Sequence, residues 1–229
     1  MSSHETPNMD SGDAAVSLVT MLAQQVETMI IDAVLPAGAR INENALAQEL
    51  GVGRSTLREA VRQLESNGLV TLVPNRGVFV RKVSLQEALH LFDCRAGLAR
   101  AGGRLVAARA TSEQAAHLST LHDGMIKSCH SGDLDLYYSL NEEFHKSLMD
   151  CSGNARLAAL DDVMSNELQL FRRKNLGNIA QLETSIQEHE KIIEGVLSHD
   201  QNKCAAAFER HIISAKQRML ETLPAYSAD

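Results

Sequence analysis

The order of turn, helix and hairpin in residues 46–80, LAQELGVGRSTLREAVRQLESNGLVTLVPNRGVFV, limits what this chain can fold into more than any other feature. Gly51-Val52-Gly53 is a tight turn between a short helix at 43–50 and a helix from Arg54 to Ser66, which Asn67-Gly68 ends. Leu57, Val61 and Leu64 recur at helical spacing and form the inward stripe of that helix. Arg54, Ser55, Thr56 and Arg58 on its first turn are therefore not needed for packing. Two apolar runs, 69–73 and 78–81, flank Pro74-Asn75-Arg76-Gly77, a hairpin signal because Asn and Gly tolerate positive φ. Upstream, Leu18, Leu22, Val26, Met29, Ile30 and Ala33 mark a helix over 16–34 that Pro36-Ala37-Gly38 stops. Helix, helix, turn, helix, hairpin is the order of a winged helix-turn-helix.

The chemistry of that motif is DNA reading. The second helix of a helix-turn-helix lies in the major groove with its first turn toward the base edges. There Arg54 and Arg58 can fork onto guanine, and the hydroxyls of Ser55 and Thr56 can bond phosphate or base. Arg76 and Gly77 at the hairpin reach the backbone or minor groove. The net charge of −7 has the wrong sign for nucleic acid, but the average hides an asymmetry. Residues 40–82 hold seven basic groups against four acidic ones, a local +3 in an otherwise acidic chain, and local potential is what a polyanion meets. Two arginines four apart also occur on ordinary solvated faces; here the succession of turn, Arg-rich helix start and N-R-G hairpin favours DNA.

The run G-V-G-R-S-T-L-R-E-A-V-R-Q-L-E-S-N-G-L-V followed by P-N-R-G-V-F-V resembles the winged helix of the GntR family of bacterial repressors. The resemblance implies DNA contacts at Arg54 and Arg58 and a helix-start hydroxyl at Ser55. Gly53 stands where the family has Ser or Thr, so a cap oxygen is lost at a cost of a few tenths of ~1 kcal/mol. Thr56 stands where the family often has Pro.

From Ser84 the pattern changes. Ser84-Leu85-Gln86-Glu87 is a capping box opening a helix to about 109. Further helices are expected at about 111–130, 132–151, 154–175, 182–198 and 201–222. The fold class is thus mainly α: a winged helix-turn-helix over 16–83, then an antiparallel six-helix bundle over 84–222, with tails at 1–15 and 223–229. With aromatics at 3% and no Trp, the core must be aliphatic. Cys94, Cys129, Cys151 and Cys204 form no C-x-x-C pair and read as buried thiols of a reducing cytoplasm. No apolar run reaches the ~18 residues of a membrane span, and the N-terminus lacks a leader pattern, so a cytoplasmic protein is expected.

The bundle carries its own constellation. Asn141 and His145 are four apart on one helix face. His189 interrupts the stripe Leu182, Ile186, Ile193, Val196, and His211 lies in line with Cys204, Phe208, Ala215 and Met219. Imidazoles among aliphatic side chains leave nitrogens to satisfy. Each ring alone reads as a core histidine bonded to a carbonyl; together, convergence on one divalent ion would satisfy all three. The bundle resembles the FCD ligand-binding domain of the FadR-like branch through Arg95 in R-A-G-L-A-R-A-G-G-R-L, N-E-E-F-H at 141–145, S-G-N-A-R-L at 152–157, H-E-K-I-I at 189–193 and E-R-H-I at 209–212. The resemblance implies a metal on His145, His189, His211 and Asn141, the last where the family's metal-binding members often have Asp. It also implies an effector contact at Arg95, for which a solvated arginine is the alternative. Three imidazoles suit Zn²⁺ or Ni²⁺.

These readings predict a homodimeric regulator, a repressor, that binds double-stranded operator DNA and answers to a small organic carboxylate at the metal. It is not expected to be an enzyme: Ile193 replaces the second His of an H-E-x-x-H zincin, and no nucleophile motif is present. A metal-dependent enzyme with an accessory winged helix and a constitutive DNA binder with a structural metal are the alternatives.

Overall fold

The computed structural model describes residues 11–172 and 179–222 and divides into two compact units after Lys82. Residues 1–10 of the tail expected at 1–15, the tail at 223–229 and residues 173–178 lie outside the described residues.

The first unit holds α1 (Ser11–Ile31), β1 (Arg40–Ile41), α2 (Glu43–Glu49), α3 (Arg54–Ser66), β2 (Val70–Val73) and β3 (Gly77–Val80). α1 packs against α3, and Leu22, Val26 and Ile30 of the one and Leu57, Ala60, Val61 and Leu64 of the other are buried. α1 begins at Ser11, five residues before the expected start, because its polar first turn shows no apolar period. The hairpin β2–β3 pairs Val73 with Gly77 and Val70 with Val80. Its turn takes Asn75 at φ 60° and Gly77 at φ 103°, as the residue types predicted. β1, absent from the sequence reading, adds to the other edge of β3 through Arg40 and Ile41, so the sheet order is β1-β3-β2. Two residues are too few to display alternation.

The second unit is α4 (Leu85–Arg109), α5 (Ser112–Ser131), α6 (Leu134–Cys151), α7 (Ala155–Arg172), α8 (Ile179–Leu197) and α9 (Gln201–Thr222). Its core already includes Val83, one residue ahead of the boundary read from the capping box. The box itself forms: Ser84 Oγ accepts from Glu87 N at 3.2 Å, and Ser84 N donates to Glu87 Oε2 at 2.9 Å. Thr111 and Gln114 repeat it at α5, and Asp133 Oδ1 caps α6. α9 runs against both α4 and α8. The contacts are backbone-close: a Cβ on Gly195 would sit 2.6 Å from Cys204 Cα, and one on Gly103 2.9 Å from Ala205 Cα. Small residues thus set how closely α9 approaches its neighbours. Cys129, Cys151 and Cys204 are buried as expected, but Cys94 is exposed, since it lies one residue before the inward-facing Arg95 on α4. Among the described residues no helix is long and apolar enough to cross a membrane.

Candidate functional site

In the first unit, the α3 stripe buries Leu57, Ala60, Val61 and Leu64 and so turns Arg54, Ser55 and Arg58 outward. Thr56 is half-buried. Gly53 at the N-cap makes no side-chain bond to the helix, so the first-turn amides of α3 lack the cap that Ser or Thr would supply. Arg58 Nε lies 3.4 Å from Glu43 Oε1, an exposed pair worth little in water. Arg76 is exposed at the hairpin, whose turn is closed by its amide donating to Val73 O at 3.0 Å. Arg40, which the sequence reading passed over, packs its guanidinium over Gly77: a Cβ there would meet Arg40 Nε at 3.2 Å. Arg40, Arg58, Asn42, Glu43, Asn44 and Gly77 line one cleft of about 340 Å³. Its signal in sequence is only a lone Arg before the α2 cap, which gives no hint that β1 joins the wing.

In the second unit, the three histidines meet. His145 on α6, His189 on α8 and His211 on α9 each project from an inward face, and their nitrogens gather within 4.8 Å of one another. His211 Nε2 lies 3.1 Å from His145 Nε2 and 3.3 Å from His189 Nε2. Nitrogens each bound at about 2.1 Å to one ion stand roughly 3.0–3.4 Å apart, depending on whether they meet at octahedral or tetrahedral angles. The two separations from His211 fall in that interval. Phe144 packs on His189 at 4.7 Å between ring centres, and Phe208 stacks on His145 at 5.9 Å, so the centre is walled by aromatic carbon. His189 is fully buried, and that burial, followed by the neighbouring His211 and His145, holds its pKa well below the ordinary value. The ring is therefore neutral and presents a lone pair, as a ligand must. Asn141 is half-buried, one turn ahead of His145 on α6, at the position from which a fourth donor was expected.

Behind the trio stands a pair the sequence reading missed. His211 Nδ1 lies 2.9 Å from Glu188 Oε2, and Arg218 Nη1 donates to Glu188 Oε1 at 3.0 Å and Oε2 at 2.9 Å. Burial alone would raise the Glu188 carboxyl; the bond from His211 and the charges of His211 and Arg218 outweigh it and hold the group below the usual range. An ionised carboxylate only accepts, so a proton sits on His211 Nδ1; when the ring is neutral, its Nε2 carries the lone pair that faces the other two rings. Glu188 adjoins His189 in sequence, and that adjacency was the available signal. Glu190, by contrast, is exposed.

Arg95, expected as an effector contact, is paired inside the helical unit. It is 2% exposed, and its Nε and Nη2 donate to Asp161 Oδ1 and Oδ2 at 2.8 and 2.9 Å. The fork that an effector carboxylate was expected to fill is taken by a carboxylate of α7. The pairing joins residues 66 apart and has no local signature.

Comparison with known proteins agrees with both units. Residues 18–80 match the family described as bacterial regulatory proteins, gntR family, and residues 90–214 match the FCD domain. The chain is 30% identical over 191 residues to the HTH-type transcriptional regulator YdhC of Bacillus subtilis, covering 83% of this chain and 84% of that protein. It is 25% identical over 183 residues to the HTH-type transcriptional repressor GlaR of Escherichia coli, covering 76% and 83%. The E. coli McbR/YncC structure superposes with a TM-score of 0.75 at 18% identity, covering 89% of this chain and 97% of that one, a likeness of fold.

Proposed function

Because this chain belongs to the gntR family of bacterial regulatory proteins and carries an FCD domain, we propose that it is a dimeric operator-binding repressor of the cytoplasm, controlled by a small organic carboxylate held at a divalent metal. The observation that carries the metal-linked part of this reading is the gathering of three imidazoles, two buried and one half-buried, within 4.8 Å of one another. Arg54, Ser55, Thr56 and Arg58 on α3 read the major groove, while Arg76 and Gly77 of the wing, with Arg40 beside them, follow the phosphates. A single winged helix covers a short site, and two copies on half-sites about one helical turn apart supply the needed affinity. A dimer seated on a promoter blocks initiation, hence repression, in keeping with the name of the relative GlaR.

His145, His189, His211 and Asn141 would hold Zn²⁺ or Ni²⁺, which supplies a +2 charge and open coordination positions. All four donors are neutral, so the uncompensated charge favours an anion, and a carboxylate suits it. The arrangement argues against hydrolysis: Glu188 is engaged behind His211 by Arg218, and Glu190 points to solvent, which leaves neither as a base in front of the ion. Ligand binding then alters operator affinity to the extent that it favours one arrangement of the dimer. The test is fluorescence anisotropy on the promoter of the protein's own transcription unit, with metal-loaded protein and a panel of carboxylates and uncharged metabolites. Release of the operator by a carboxylate, lost when the metal is chelated, is expected. Release by uncharged compounds only, or release indifferent to chelation, overturns the carboxylate–metal reading.

A further inference from the structure

We infer that Glu188, clamped by Arg218, is the positioning group of the histidine centre: it fixes which nitrogen of His211 is free for an ion and so sets how tightly the ion is held. The inference rests on the reading of the trio as a metal site, and its own geometry is independent of any ion. Glu188 and His189 are consecutive on α8, and both reach the His211 ring on α9, one at Nδ1 and the other at Nε2. The His211 side chain is 4% exposed, and Glu188 Oε2 stands at its Nδ1. With Glu188 in place, the Nδ1–H tautomer has its donor satisfied and its Nε2 lone pair aimed at His145 and His189. With Glu188 removed, the ring loses the carboxylate that holds its proton on Nδ1. An Nε2–H tautomer, donating to a neighbouring imidazole across 3.1 or 3.3 Å, then competes, and that tautomer cannot bind an ion at Nε2.

Arg218 gives the clamp its rigidity. Its Nη1 touches both oxygens of Glu188, and the two side chains are only 17% and 14% exposed, so the carboxylate is held as an anion in one rotamer. The pair also lies where solvent arrives. Glu188, Arg218, Ser214, Gln217, Thr184 and Gln181 line a cleft of about 390 Å³, whereas the His189 ring behind is fully buried. The centre is thus steered from its wet side by a carboxylate that never touches the ion.

The test uses the full chain, purified without a His tag. Zn²⁺ and Co²⁺ affinities are measured by chelator competition for wild type, Glu188→Ala, Glu188→Gln and Arg218→Gln, and the His211 tautomer of the metal-free proteins is read by ¹⁵N NMR. Wild type is expected to hold His211 as the Nδ1–H form. Glu188→Ala should weaken both ions by about 10–100-fold, the usual effect of losing an outer partner of a ligating histidine, and shift the tautomer toward Nε2–H. Glu188→Gln keeps size and an acceptor oxygen, so it should be folded and intermediate; Arg218→Gln should move the same way by a smaller factor. Unchanged tautomer and ion affinity in folded Glu188→Gln and Glu188→Ala overturn the inference and leave the metal reading standing. Absence of uptake by wild type overturns the metal reading and with it the affinity half of the inference, while the tautomer measurement still decides whether Glu188 governs His211.

Discussion

Arg95 and Asp161 form a two-pronged ion pair in the helical unit, at 2.8 and 2.9 Å, with 3% and 5% of their side chains exposed. Such a pair is costly to break and cheap to replace, because its desolvation largely cancels its attraction. Asp161→Ala should therefore lower stability by about 3–5 kcal/mol, whereas a joint Arg95→Met, Asp161→Leu change should come within ~1–2 kcal/mol of wild type. Urea unfolding of the three proteins decides it. Equal losses in the two variants would show that the site needs charge. If carboxylates still shift the melting of the apolar double variant, Arg95 has no part in binding them.

Operator binding should separate two groups of arginines. Arg54→Ala and Arg58→Ala should each cost ~1–3 kcal/mol on the specific site and blunt base preference. Arg76→Ala and Arg40→Ala should weaken specific and random DNA alike and reduce the salt slope by about one each. Anisotropy titrations at several salt concentrations make the distinction. Unchanged operator affinity in the Arg54→Ala, Arg58→Ala double variant would remove α3 as the reader.

Metal content should follow the trio. His189→Ala should lose the ion and, with it, the stabilisation that a ligand at a hundredfold excess over Kd confers, about 2.7 kcal/mol. Asn141→Asp should tighten binding by adding an anionic donor. Elemental analysis with melting curves in zinc and in chelator checks both, and a wild-type protein that takes up neither Zn²⁺ nor Ni²⁺ ends the assignment.

The metal-free protein should be acid-sensitive in a defined direction. Burial lowers the His189 pKa in the folded state, so between that value and about 6.5 the unfolded chain binds a proton that the folded one refuses. Stability should fall as pH drops through this window and be flat above it as far as His189 is concerned. His189→Phe, a neutral ring of similar shape, should flatten the slope. A slope equal to wild type would assign the acid sensitivity elsewhere.

Two glycines offer a matched pair. Gly195→Ala puts a methyl 2.6 Å from Cys204 Cα and should cost about 1–3 kcal/mol or more. Gly97→Ala, in the exposed middle of α4 with nothing within 4 Å of the added carbon, should gain roughly 0.5–1 kcal/mol from helix propensity. Thermal unfolding of both variants reads the signs.

Features written locally in the chain were legible in it. The α3 stripe, the Ser84–Glu87 box and the Asn75–Gly77 turn each depend on residues a few positions apart, and each appears as expected. The three histidines were legible because a polar ring in an apolar stripe is conspicuous. What the sequence concealed was pairing over distance. Asp161 meets Arg95 across 66 positions, Glu188 meets His211 across 23, and β1 joins β3 with only two residues. A charged residue half a turn off an apolar stripe looks like a solvated one until the facing helix is known.

The glycine contact that seats α9 against α8 bears on how far the His189 and His211 rings can approach each other. Gly195 lies within two turns of His189, and Cys204 within two turns of His211, so the rings hang from helices touching backbone to backbone. Side chains can repack around a cation of the wrong radius; two peptide backbones in contact cannot draw closer. The missing methyl group at Gly195 is thus a stop on the jaw between α8 and α9: it sets the least distance to which the His189 and His211 backbones can close.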